Sequence, residues 1–200
     1  NAGHAAVARL EERGVAVGVI TQNVDRLHQL AGARTVIDLH GTYASVLCLD
    51  CGHRISRDAL AHRLEALNPG FPDAVGAVAD VEIAPDADAV IESTEGFVVA
   101  DCERCGGLLK PDIVYFGENV PKERVERAFA LVDSADALLV AGSSLTVLSG
   151  LRFVKHAART GRPVVIVNRG ATRGDELAAV RVDAGTSETL HHLAAVLPTP

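Results

Sequence analysis

Four cysteines fall in two pairs of equal spacing, Cys48-x-x-Cys51 and Cys102-x-x-Cys105, with fifty residues between the pairs. A CxxC turn presents two thiolates together, and two such turns complete a tetrahedral metal site. Any fold open to this chain must therefore bring residues 48–51 against residues 102–105. A glycine follows each pair, Gly52 and Gly106, and suits so tight a turn. A closed set of four thiolates leaves no open coordination position, so a zinc ion there is structural. His53 is a lesser candidate ligand, and four free core thiols are the plain alternative. Disulfides belong to small secreted scaffolds. Here hydrophobic residues make up 48% of 200, enough for an ordinary core, so metal and a reducing cytoplasm are the better expectation.

Around these pairs the chain alternates. Short apolar runs occur at Val15–Ile20, Asp112–Phe116, Ala137–Ala141 and Pro163–Val167, the pattern of strands buried on both faces. Helical patterns lie between them. Ala2–Arg13 ends at Gly14, Lys122–Val132 follows Pro121, Leu151–Arg159 ends at Gly161, and Ser187–Leu197 closes the chain. Such alternation implies an α/β protein with a Rossmann-like doubly wound parallel sheet. The rhythm breaks between Thr42 and Leu109, where both cysteine pairs, a helical stretch at Arg57–Leu67 and a Pro/Asp/Gly-rich connection from Asn68 to Gly96 are found. The expected organisation is a first Rossmann-like part over 1–41, a small zinc-ribbon insert over 42–109, and a second Rossmann-like part over 110–200.

Polar residues at the carboxyl ends of parallel strands are where open α/β sheets bind ligands. Thr21-Gln22-Asn23-Val24-Asp25 follows the first apolar run; its amide and carboxylate groups suit an amide-bearing ligand, or Asn23 caps a short helix reaching Leu30. Asp38-Leu39-His40-Gly41 ends a second apolar stretch, and His40 is there either structural or a general base working near neutral pH. Gly142-Ser143-Ser144-Leu145 and Asn168-Arg169-Gly170 follow later strands, with small residues that let backbone N–H groups approach a phosphate or ribose. The stretch from Gly107 to Glu118 leaves the insert and is either a plain strand and turn or an edge that pairs with an extended peptide.

These five motifs in this order resemble the sirtuin family, over nearly the whole chain. Phe116-Gly117-Glu118-Asn119-Val120-Pro121 and Leu148-Ser149-Gly150-Leu151-Arg152-Phe153 are most similar to the branch holding the mitochondrial lipoamidase and ADP-ribosyltransferase sirtuin and its bacterial relatives. The resemblance implies an NAD-dependent protein-lysine deacylase acting on an acylated-lysine protein or peptide, with one structural zinc. It implies His40 as proton acceptor, with Asn23 and Asp25 orienting the leaving nicotinamide and the ribose. Gln22, Asn23, Val24 and Asp25 would line the nicotinamide and ribose pocket. Gly142, Ser143 and Ser144 would contact ribose and phosphates, Asn168, Arg169 and Gly170 the adenosine ribose, and Thr186 adenine. Val114, Phe116 and Gly117 would hold the acylated lysine. A protein ADP-ribosyltransferase and a noncatalytic zinc- and peptide-binding module are the rival expectations.

The chain departs from the family pattern at its start: the first βα unit, with its Gly-Ala-Gly phosphate loop, is not in it. Asn1 opens the chain and methionine is absent throughout, as expected of a piece of a longer protein. The net charge is −7 with no basic run, which argues against nucleic acid or an anionic membrane as partner. No apolar run reaches the ~18 residues of a membrane span. The Ala-, Val- and Arg-rich composition is that of a bacterial protein.

Overall fold

The computed structural model describes residues 1–71 and 94–197. Most of the Pro/Asp/Gly-rich connection lies outside the described residues. The chain divides into two compact units, one formed by Asn1–Thr42 with Val114–Pro200, the other by Tyr43–Ile113.

In the first unit, β1 (Val19–Thr21) pairs in parallel with β2 (Val36–Asp38), Thr21 lying opposite Asp38. A second parallel ladder runs β6 (Leu138–Ala141), β7 (Val164–Val167), β8 (Val180–Val182), with Ala141 opposite Val167. The expected parallel strands are present, but over two sheets: among the described residues β1 hydrogen-bonds only to β2, and β6 only to β7. One hydrophobic core nevertheless serves both. Ile37 and Leu39 from the β2 side join Val164 and Ile166 of β7, with Val132 from α4 (Lys122–Asp133) and Leu151, Phe153 and Val154 from α5 (Leu148–Arg159). Leu151, Val154 and Ala157 recur at helical spacing and are buried, which is why α5 forms against the sheet rather than in solvent. Burial of such a stripe, at about 1.5–3 kcal/mol per large apolar side chain, is what holds this helix in place.

A second cluster joins α1 (Ala2–Glu12) to α6 (Thr186–Val196) through Ala6, Leu10, Leu190 and Ala194. Asn1 caps α1 by accepting from the N–H groups of Gly3 and His4. Gly14 closes the helix with φ of 73°, its N–H donating to Glu11 C=O.

In the second unit, strands are ordered β4 (Arg54–Ser56), β3 (Gly41–Cys48), β5 (Leu109–Ile113), with α3 (Arg57–Leu67) following β4. Ser56 caps α3 through Ala59 N–H. Val46, Leu60 and Ala100 form its core. The apolar run Asp112–Phe116 is thus not a buried strand of the parallel sheet. The strand there starts earlier, at Leu109, and pairs with β3, while Tyr115 and Phe116 are exposed.

Candidate functional site

The parallel register sets the geometry of the first unit's site. Because Thr21 lies beside Asp38, the residues that leave the two strands, Gln22 and His40, emerge at one sheet end. Leu39 is fully buried, and its N–H donates to Thr21 C=O at 2.8 Å, which anchors the backbone before His40. The imidazole Nε2 of His40 lies 2.8 Å from Ser149 Oγ. The amide Nε2 of Gln22 donates to the same oxygen at 3.1 Å. Ser143 Oγ donates to Gln22 Oε1 at 3.5 Å. Residues from the ends of β1, β2 and β6 and from the first turn of α5 therefore share one polar network.

Burial holds the pKa of His40 below the usual histidine value, as do the positive charges of Arg124 and Arg152. A hydrogen bond from the ring to the Gln22 backbone opposes this without reversing it. The ring is therefore neutral, with a lone pair to offer, at and somewhat below neutral pH.

The second ladder carries a second cluster. Gly142 N–H donates to Val167 C=O, and Asn168 N–H to Val182 C=O, so both residues stand at the carboxyl ends of their strands. A cavity of about 360 Å³ opens there, lined by Gly142, Asn168, Arg169, Gly185, Thr186 and Glu188 among others. A Cβ on Gly142 would come within 3.3 Å of Thr186 Cγ2 and occupy part of that space, and its φ of +67° disfavours any other residue. In the same turn Leu145 holds a left-handed φ of 56° while its side chain is buried in the core. Strain of this kind persists only where surrounding structure imposes it.

Other expected site residues fall elsewhere. Asn23 does not cap the short helix α2 (Leu27–Leu30); Arg26 occupies that position, and Asp25 Oδ1 accepts the Leu27 N–H at 2.9 Å. Arg26 there is left-handed, with φ of 62°, and its own side chain makes no cap hydrogen bond. Asn23 and Asp25 are exposed, and Val24 is half-buried between them. Ser144 Oγ pairs with Thr146 Oγ1, and Gly170 N–H donates to Asp183. Val114 N–H donates to the His40 carbonyl at 2.8 Å. Phe116 is fully exposed on a turn closed by Glu118 N–H to Tyr115 C=O, and Gly117 supplies its φ of +88°.

In the second unit the four cysteine Sγ atoms lie within 4.8 Å of one another. Cys48 and Cys105 are 3.5 Å apart, Cys51 and Cys102 3.8 Å. Four sulfurs at ~2.3 Å from one zinc ion would sit about 3.8 Å apart at tetrahedral corners, so the set fits a single metal ion. Gly52 and Gly106, with φ of 69° and 73°, make the two turns, and their N–H groups donate to the carbonyls of Cys48 and Cys102. Backbone N–H donation, from Cys51 first, draws the Cys48 thiol down to about 7, while hydrogen bonding to the neighbouring sulfurs, Cys51 first, pushes Cys105 up to about 12.

Ser149 and, around the cavity, Ala184, Gly185, Ser187 and Glu188 were not marked as site residues by the sequence. Ser149 stood only as one letter of Leu148–Phe153, and Glu188 as part of a terminal helix; a Ser-Gly step opening a helix was the available signal for the first.

The Sir2 family model matches residues 1–149. NAD-dependent protein deacetylase 1 of Mycobacterium avium (strain 104) is 63% identical over 97% of this chain. The protein of the same name from Streptomyces coelicolor is 56% identical over 91% of it. The chain spans 69% and 60% of the lengths of these two relatives. Among solved structures, Sir2 with a p53 peptide and NAD+ is 31% identical with a TM-score of 0.74, covering 98% of this chain and 69% of that one. Sir2 bound to acetylated peptide is likewise 31% identical, with a TM-score of 0.75 and coverage of 98% and 69%. The chain belongs to the Sir2 family, the sirtuins.

Proposed function

We propose that the protein containing this chain is an NAD-dependent protein-lysine deacylase that transfers the acyl group to ADP-ribose and releases nicotinamide. In that reaction the acyl oxygen of the modified lysine displaces nicotinamide from the ribose of NAD, a ribose hydroxyl then adds to the acyl-derived carbon, and water adds to that carbon as the lysine amine leaves. The observation that carries the reading is the neutral His40 imidazole, 2.8 Å from Ser149 in a network shared with Gln22 and Ser143 at the carboxyl ends of parallel strands.

His40 accepts the proton of the ribose hydroxyl and thereby makes it a nucleophile. Gln22, Asn23, Val24 and Asp25 form the nicotinamide and ribose side of the pocket. Asn23 and Asp25 are both exposed, and Asp25 keeps one carboxylate oxygen on the Leu27 N–H. Gly142, Ser143 and Ser144 take the ribose and phosphates. Asn168, Arg169 and Gly170 take the adenosine ribose, with Thr186 at adenine; the 360 Å³ cavity beside them has the size of a small-molecule site. Val114, Phe116 and Gly117 hold the acylated lysine, and the Val114–His40 backbone bond ties that segment to the base. Cys48, Cys51, Cys102 and Cys105 hold one zinc ion, which stabilises the Tyr43–Ile113 unit and takes no part in the chemistry. Four reduced thiols on a metal belong in the cytoplasm. Among the described residues no helix is long and apolar enough to cross a membrane.

The test is an acyl-lysine peptide panel incubated with NAD and the full-length protein, read by mass spectrometry. Free lysine peptide with O-acyl-ADP-ribose supports the reading. A peptide gaining ADP-ribose while keeping its acyl group would replace it with ADP-ribosyl transfer.

A further inference from the structure

Ser149 is buried in the first turn of α5, yet its hydroxyl touches two side chains from different strands. A serine hydroxyl has one proton to donate and two lone pairs to accept with. The Gln22 amide uses one lone pair, since its Nε2 donates to Ser149 Oγ at 3.1 Å. That amide is oriented from its other end, where Oε1 accepts from Ser143. The hydroxyl proton of Ser149 is thus left for the remaining neighbour, His40 Nε2, at 2.8 Å. The imidazole agrees. Its ring also hydrogen-bonds the Gln22 backbone, and with Nε2 turned to Ser149 the nitrogen left for that carbonyl is Nδ1. A neutral imidazole carries one N–H, so Nδ1 holds the proton and Nε2 the lone pair.

We propose that Ser149 is the positioning residue of the site: its hydroxyl fixes His40 in the tautomer whose Nε2 is basic, and ties that ring to the Gln22 amide. This rests on the reading of His40 as the proton acceptor. Ser149 holds the ring ready for its substrate. It donates to the one Nε2 lone pair in the ligand-free site. When NAD is bound, it cedes that lone pair to the ribose hydroxyl, whose proton Nε2 then takes. The charged groups that act on this ring are Arg124 from α4 and Arg152 from α5, both cationic; its hydrogen-bond partners, the Gln22 carbonyl and the Ser149 hydroxyl, are both uncharged. Gly150 completes the arrangement, because any larger residue there would push into Gln22.

Three measurements on the full-length protein decide the matter. Imidazole ¹⁵N NMR of the ligand-free wild type is expected to show His40 protonated on Nδ1; protonation on Nε2 overturns the proposal whether or not the protein turns over. With an acyl-lysine peptide and NAD, Ser149→Ala is expected to lower kcat by about 10- to 100-fold while KM for the peptide holds. Ser149→Thr, which keeps the hydroxyl, is expected to recover most of that loss. A merely structural role predicts the reverse, since the larger threonine would disturb a buried site more than alanine. Unchanged kcat in the alanine variant, or no rescue by threonine, overturns the proposal. If the wild type itself fails to deacylate, the functional reading falls, and the tautomer measurement still judges the role of Ser149.

Discussion

A Cβ placed on Gly150 would lie 2.9 Å from Oε1 of Gln22, closer than side chains tolerate. The obstacle is the far end of a flexible side chain, so the fold can yield by moving Gln22. Gly150→Ala therefore separates stability from activity. Alanine favours a helix over glycine by about 0.8–1 kcal/mol, so the variant should melt no lower than wild type. Displacement of Gln22 should cost about 10-fold or more in kcat/KM for NAD. Thermal unfolding alongside steady-state kinetics checks both halves; a variant with wild-type kinetics would show that Gln22 has no place in the site.

The pH profile follows from His40. Burial first, then Arg124 and Arg152, hold its pKa below 6.5. A general base works only when deprotonated, so the acid limb of kcat/KM should be centred below 6.5, at the depressed value. An acid limb centred above 6.5 would contradict this assignment. The same depression makes folding pH-dependent. The unfolded ring binds a proton that the folded ring refuses, so this stability is full above 6.5 and is lost as pH falls through the folded pKa. His28 acts in the same direction, because burial and the nearby His4 lower its pKa too. Denaturant titrations at a series of pH values should show the midpoint declining below pH 6.5.

Metal content is the next expectation. The protein should carry one zinc per chain, and Cys102→Ser, which removes a buried ligand, should abolish stoichiometric binding. Structural zinc contributes folding energy directly. Chelation should therefore unfold the Tyr43–Ile113 unit, seen as lost amide protection of β3 and α3 in hydrogen exchange. Full protection in metal-free protein would exclude a structural ion.

Leu39 is fully buried, and its N–H holds the ends of β1 and β2 together. Leu39→Ala should cost about 2–5 kcal/mol in urea unfolding, the range for a leucine cavity.

The legible parts of the sequence were those with strong local signals. Arg57–Leu67 was readable to its ends because Ser56 caps it and the helical pattern stops at Asn68. The CxxC spacing announced its own convergence. Val164–Val167 was readable because a strand buried on both faces is a continuous apolar run. Long-range facts were less legible. The run Asp112–Phe116 looks like a core strand, but its pairing with β3 is set by partners far away in sequence, and its aromatic end faces solvent. Helix α5 begins at Leu148, three residues before the expected Leu151, because its first turn is defined by contacts to Gln22 and His40 and not by an apolar stripe. For the same reason Ser149 could not be singled out: its partners come from other strands, and a serine near a helix start is more often a cap.

In the proposed reaction the imidazole of His40 removes the ribose proton. That step is tested most directly by deacylation of an acyl-lysine peptide with NAD, comparing the full-length wild type with His40→Ala. Loss of a general base predicts a fall in turnover of about 100- to 10,000-fold with the protein still folded. Turnover by the folded alanine variant at the wild-type rate would contradict the account.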